Sequence, residues 1–209
     1  MQVSVIILAA GQGTRMNSDL PKVLHQVAAA PILHHALATA QSLDPARIVT
    51  VTGHGGEAVV ASATAFNEAV ETVVQDPQLG TAHAVAQAAP LLSDETGEAI
   101  VLYADTPLIR EDTLRAMLDA RAKHAVVILG FHARDPSRYG RLLTQGDELL
   151  AIREYKDATP EERGITLCNS GVVCADAGTL FSLVAEVKND NAAGEYYLTD
   201  IVELARRRG

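Results

Sequence analysis

Residues 3–8, Val-Ser-Val-Ile-Ile-Leu, form a short run that is almost entirely apolar and rich in Val and Ile, the pattern of a strand covered on both faces. Similar runs recur at 47–52, 70–74, 99–103 and 125–131. Between them lie Ala- and Leu-rich segments with helical spacing at 32–42, 57–66, 81–92 and 113–123. Strand and helix in strict alternation predict a parallel sheet with helices packed on both sides through right-handed crossovers. After Phe131 the rhythm changes. Residues 139–143 and 148–153, joined across Gln145-Gly146-Asp147, predict a β-hairpin. A polar stretch at 156–164, a strand near 165–174 and helices near 177–187 and 197–207 complete the chain.

The 209 residues, 48% of them hydrophobic, suffice for one such domain. No linker, repeat or low-complexity tract divides them. Seventeen basic against 26 acidic residues leave a net charge of -9, which argues against a general nucleic-acid or anionic-membrane binder. An anionic ligand would then have to meet positive groups placed locally. Arg206, Arg207 and Arg208 suit the carboxyl end of a helix better than a nucleic-acid tail. The N-terminal apolar run is far below a membrane span of roughly 20 residues, and no basic signal region precedes it, so a soluble cytoplasmic protein is expected. Cys168 and Cys174, about 20 Å apart along an extended strand, cannot pair with each other and are expected as reduced core thiols.

Ligands of open α/β sheets sit beyond the carboxyl ends of the strands, so the residues just after each strand are the candidates. Leu8-Ala9-Ala10-Gly11-Gln12-Gly13-Thr14-Arg15-Met16 follows the first strand. It is not a dinucleotide fingerprint, because Met16 takes the place of the third glycine, and it is not a P-loop. Small residues nonetheless let backbone N–H groups approach a ligand, and Arg15 and Lys22 add two cations, so the segment predicts an anion cradle. Asp105, in Tyr103-Ala104-Asp105-Thr106-Pro107, ends the fourth strand. One carboxylate is enough for a magnesium ion that also takes phosphate oxygens, although Asp-Thr-Pro equally suits a helix N-terminus. Gln75 offers a side-chain amide to a base edge, and Gly80-Thr81 opens a helix that Thr81 could cap. The seven histidines lack metal-binding spacing, and neither C-x-x-C nor G-x-S-x-G occurs.

Taken in order along almost the whole chain, LAAGQGTRM, SDLPKVLH, QLGTAHAV, YADTPLI, YGRL, REYKDAT, CNSGVV and NAAGEYYLTD resemble the sugar-nucleotide pyrophosphorylases. The resemblance is strongest to the uridyltransferase domains of bacterial bifunctional uridyltransferase/acetyltransferases. It implies a three-layer α/β/α Rossmann-like nucleotidyltransferase fold, with a mostly parallel sheet and a β-hairpin insertion, in a single domain spanning 1–209. By the same resemblance, Leu8, Ala10, Gly11, Gly13, Gln75, Gly80, Thr81 and Tyr103 bind the nucleotide. Arg15 and Lys22 neutralise the triphosphate as catalytic residues, and Asp105 ligates Mg²⁺. Gly140, Glu154, Asn169, Tyr197 and Thr199 bind the N-acetylglucosamine moiety. The implied substrates are UTP and N-acetylglucosamine 1-phosphate, whose phosphate oxygen attacks the α-phosphorus while pyrophosphate departs.

The chain also departs from that family. Ala104 stands where Gly is usual, its methyl expected to crowd a backbone approach to the ligand. Ala28-Ala29-Ala30-Pro31 likewise replaces a Gly-containing loop. The chain stops at Gly209, before the family's Asn ligand for the metal and before its left-handed β-helix. Acetyl transfer is therefore not expected. Two other readings stand beside the uridyltransferase: a sister pyrophosphorylase for another base or sugar, and a UDP-sugar-binding domain of low activity. The sequence sets no oligomeric state.

Overall fold

The computed structural model describes residues 2–11, 13, 16, 18–53, 55–93 and 96–209. The elements are β1 (Val3–Ala9), the short strands β2 (Gln26–Val27) and β3 (Ala30–Pro31), α1 (Ile32–Gln41), β4 (Arg47–Gly53), α2 (Glu57–Phe66) and β5 (Glu71–Gln75). They continue with α3 (Thr81–Ala86), α4 (Ala89–Leu92), β6 (Glu98–Tyr103), α5 (Glu111–Arg121), β7 (Val126–His132), β8 (Arg141–Gln145) and β9 (Glu148–Arg153). The last are α6 (Pro160–Arg163), β10 (Leu167–Asp176), α7 (Ala177–Val184) and α8 (Ile201–Arg208).

The main sheet has the order β5-β4-β1-β6-β10-β8-β9, with β7 paired to β10. Its β5-β4-β1-β6 portion is parallel. The chain moves outward from β1 through β4 to β5, then returns to lay β6 on the other side of β1. Strand order therefore reverses between β1 and β6, the position where α/β sheets open a ligand crevice. Side chains of β1 alternate between two cores, as a doubly covered strand requires. Val5, Ile7 and Ala9 join α1, α2 and α5 on one face; Ile6 and Leu8 join α3, α4, α7 and α8 on the other. The result is the expected three-layer α/β/α, Rossmann-like arrangement.

Four local expectations are corrected. The strand at 125–131 does not continue the parallel series. As β7 it pairs antiparallel with β10, which is inserted between β6 and β7 and bonds to both, Val173 lying opposite Val101 and Ile128. The helix expected over 81–92 is broken in two, because Pro90 sits in the first turn of α4 and cannot donate to a continuing helix. Asp105-Thr106-Pro107 caps no helix: α5 starts only at Glu111, behind Arg110, and Thr106 turns back on Tyr103 O through its N–H (3.1 Å) and hydroxyl (2.9 Å). Within the polar stretch, Thr159 and Glu162 form a reciprocal capping box that starts α6.

Cys168 and Cys174 are buried free thiols. Burial pushes Cys174 up to about 12, helped by Glu98, and raises Cys168 in the same direction, so neither is a ready nucleophile. The three arginines end α8 and each pairs with a carboxylate, of Glu148, Glu203 and Glu186 respectively. Among the described residues, no helix is long and apolar enough to cross a membrane.

Candidate active site

A cavity of about 490 Å³ opens at the carboxyl ends of β1, β5 and β6. The expected nucleotide set, Leu8, Ala10, Gly11, Gly13, Gln75, Gly80, Thr81 and Tyr103, lines it together with Lys22 and Asp105. Arg15 lies outside the described residues. Chain topology explains the convergence: these groups follow three neighbouring parallel strands, so their loops leave the sheet on the same edge.

Lys22 sits in a single 3₁₀ turn, Lys22–Leu24, and its Nζ lies 2.6 Å from Asp105 Oδ2. Both side chains remain more than one-third exposed, at 40% and 35%, so the pair is available to a ligand. Ala104, the neighbour of Asp105, is fully buried in the core packed under α1, α2 and α5. Its methyl therefore points away from the cavity, and the expected crowding does not occur. The Ala104 N–H instead bonds to Leu8 O at 3.0 Å, locking the ends of β1 and β6 together.

The loop after β5 is tied both inward and sideways. Gln78 Nε2 donates to Ala10 O at 2.6 Å, bridging this loop to the end of β1. Gly80 has φ +119, and a Cβ there would come within 2.6 Å of Tyr196 O and 2.7 Å of Tyr196 N. Only glycine accepts both the backbone angle and the approach. The approach is used: Tyr196 N–H donates to Leu79 O (2.8 Å) and Ala82 N–H donates to Tyr196 O (2.9 Å). Thr81 makes no cap. Its hydroxyl oxygen accepts the Leu198 N–H at 2.9 Å and also meets the Tyr103 phenol, whose pKa is raised by burial against that hydrogen bond. Residues 196–198 are thus stitched onto the nucleotide loop.

The expected sugar residues form an adjoining cluster. Glu154 Oε1 accepts the Thr199 hydroxyl at 3.3 Å. Gly140 lies against the same carboxylate, since a Cβ there would meet Glu154 Oε1 at 3.2 Å. Asn169 N–H donates to Gly140 O at 2.9 Å, and its Oδ1 accepts the Gly171 N–H at 3.0 Å. Glu154 and Tyr197 line a second cavity of about 280 Å³. Burial raises the Glu154 carboxyl, opposed by Thr199 and reinforced by Asp157, Asp200 and Glu195. Burial likewise pushes Tyr197 up to about 12, with the same four carboxylates adding to it, so its phenol stays a proton donor near neutrality. Tyr103 lies between the clusters: a Cβ on Gly171 would strike its ring at 2.7 Å, and its phenol feels both Glu154 and Asp105.

Sequence reasoning missed the supports. Arg141 is buried, and its guanidinium donates only to backbone carbonyls, of Tyr139, Ser137 and Arg163, which fixes the loop carrying Gly140. Asp157 Oδ1 accepts the Ala192 N–H at 2.8 Å, joining the loop after Glu154 to the segment that carries Tyr197. Gln78 and Glu195 line the first cavity. Their segments, QLGTAHAV with its preceding QDP and NAAGEYYLTD, drew attention; no spacing in them marked these two side chains.

Comparison with known proteins agrees with this geometry. The MobA-like NTP transferase domain matches residues 5–192. The bifunctional protein GlmU of Cereibacter sphaeroides is 70% identical over 207 residues, 99% of this chain and 46% of that protein. The GlmU of Ruegeria pomeroyi is 56% identical over 209 residues, 100% of this chain and again 46% of that protein. The chain thus spans about half the length of these curated relatives. Among solved structures, a UDP-glucose pyrophosphorylase complexed with UDP-glucose superposes with a TM-score of 0.80 at 19% identity, covering 100% of this chain and 88% of that one. A putative glucose-1-phosphate thymidylyltransferase from Bacillus anthracis also reaches 0.80, at 24% identity, over 99% and 84%. At these identities the likeness is one of fold.

Proposed function

The chain belongs to the family of MobA-like NTP transferase domains, and from that premise we propose that it transfers uridylyl from UTP to N-acetylglucosamine 1-phosphate, releasing pyrophosphate and UDP-N-acetylglucosamine. The observation that carries the reading is the arrangement of two adjoining clusters across Thr81: a cavity with an exposed ammonium–carboxylate pair, and a group of buried acceptors and donors. The first suits a nucleoside triphosphate and the second an amide-bearing sugar. We place the reaction in the cytoplasm, in keeping with the free thiols, within one domain covering the whole chain.

In this reading the uracil lies against Gln75, Gly80 and Thr81, and the phosphates over Gly11, Gly13 and Lys22, with Arg15 beside them. Gly140, Glu154, Asn169, Tyr197 and Thr199 hold the sugar. Glu154 accepts hydroxyl protons, while the Tyr197 phenol donates. The attacking phosphate oxygen is already ionised, so the residues need supply no general base; they orient the two substrates in line and oppose charge developing on the leaving group. Lys22 Nζ is the described cation for that second task.

A divalent ion fits the residues present. The Lys22 ammonium already rests on Asp105 Oδ2, so this oxygen accepts a cation from the cavity side. No group of three or more His, Cys, Asp or Glu among the described residues could hold a metal alone, and Mg²⁺ takes one or two carboxylates with phosphate oxygens and water. Asp105 would therefore hold Mg²⁺ together with the nucleotide, where the ion neutralises phosphate charge.

The test is pyrophosphate release from the purified chain with Mg²⁺, each of the common NTPs, and N-acetylglucosamine 1-phosphate or glucose 1-phosphate. Release with UTP and the acetamido sugar is expected. Turnover only with another nucleotide or sugar would assign a sister enzyme, and tight UDP-sugar binding without turnover would assign a binding domain.

A further inference from the structure

We infer that His83 determines which bases the cavity accepts, by fixing which atom of Gln75 faces the ligand; this rests on the reading of Gln75 as the base contact. Gln75 is 3% exposed and lines the cavity. Its Nε2 lies 2.9 Å from Gly80 O, which can only accept, and 3.1 Å from His83 Nδ1. The two amide protons are both used when Nδ1 presents its lone pair, so the proton of a neutral His83 sits on Nε2. Gln87 Nε2 competes for the imidazole at 3.3 Å from His83 Nε2, yet it has the backbone carbonyl of His83 at 3.0 Å. A neutral imidazole has one acceptor nitrogen, and the shorter contact, to Gln75, takes it.

The consequence is directional. Oε1 of Gln75 receives no protein donor among the described residues, so the cavity offers a buried acceptor. The N3–H of uracil satisfies it. Cytosine presents a lone pair at N3 and would leave two acceptors facing each other away from water, an unsatisfied arrangement that is penalised when buried. Turning the amide over would suit cytosine but would set Oε1 against both Gly80 O and His83 Nδ1. His83 is thus a positioning residue for base specificity, and it acts through Gln75.

The experiment is titration calorimetry of UTP and CTP, with Mg²⁺, on the full chain and on H83F and H83N. Phe keeps an aromatic ring beside Tyr196, 6.5 Å from the imidazole centroid, and removes the acceptor. Asn returns an acceptor oxygen close to the Nδ1 position. The preference for UTP over CTP should fall roughly fivefold or more in H83F, as expected for loss of one hydrogen bond, and return in H83N. An unchanged preference in H83F, or equal losses in H83F and H83N, overturns the inference; if H83F does not fold, H83L replaces it in the same comparison. A wild-type chain that binds the two nucleotides equally well would instead remove the reading of Gln75 itself, and the inference with it.

Discussion

Lys22 and Asp105 contribute to the chemistry without contributing much to the fold. Their ion pair is more than one-third exposed on both sides, and exposed pairs add only about 0–1 kcal/mol to stability. Lys22→Ala should therefore lower the rate of pyrophosphate release by about tenfold or more, while the melting temperature stays close to that of the unaltered chain. Steady-state kinetics with a thermal melt checks both halves. Glu154 behaves in the opposite way. Its pKa is raised by burial, so the unfolded chain gives up this proton more readily than the folded one. Stability from this group is complete at low pH and is lost as pH rises through the folded-state value. Glu154→Gln should raise the melting temperature at neutral pH, with the gain shrinking towards about pH 4, and should weaken binding of the sugar phosphate. Melts across that range decide it. Both residues were legible because a motif carries them. Arg141 and Asp157 were not, since their partners are backbone groups brought close only by tertiary structure.

At the scale of elements, local pattern identified nearly all the strands and helices and missed what depends on pairing between distant segments. The apolar run at 3–8 became β1 because both its faces are covered. Nothing in residues 165–174 says that β10 will insert between β6 and β7; that choice is made by long-range hydrogen bonds, to which single-sequence periodicity is blind. The β2–β3 ribbon was also missed, because its turn carries the wrong residues. Ala28 and Ala29 sit at φ +49 and +65, the left-handed values that a two-residue hairpin turn demands and that glycine or asparagine usually fill. An L side chain there costs about 1 kcal/mol. Ala29→Gly should accordingly stabilise the chain by about that amount in denaturant titration. Gly80→Ala should do the reverse. Its new methyl would collide with the Tyr196 backbone, parting the nucleotide loop from the segment of Tyr197 and Thr199, and the KM for sugar phosphate should rise along with a fall in melting temperature.

For the molecule as a whole, a net charge of -9 offers no general attraction for a triphosphate, so affinity has to come from the edge of the sheet where strand order reverses. That edge was foreseeable from the alternation of strands and helices. The joining of two neighbouring clusters through Thr81 and Tyr196 was not, because it depends on a loop more than a hundred residues further on, at 196–198. The account's central claim is that one side of this junction takes the uridine nucleotide and the other takes the sugar. A crystal structure of the chain with UDP-N-acetylglucosamine tests it most directly. The uracil should lie within hydrogen-bond reach of Gln75 and the sugar within reach of Glu154 and Asn169, with the diphosphate passing Lys22. Product bound away from the carboxyl ends of β1 and β6, or with base and sugar exchanged between the clusters, would contradict it.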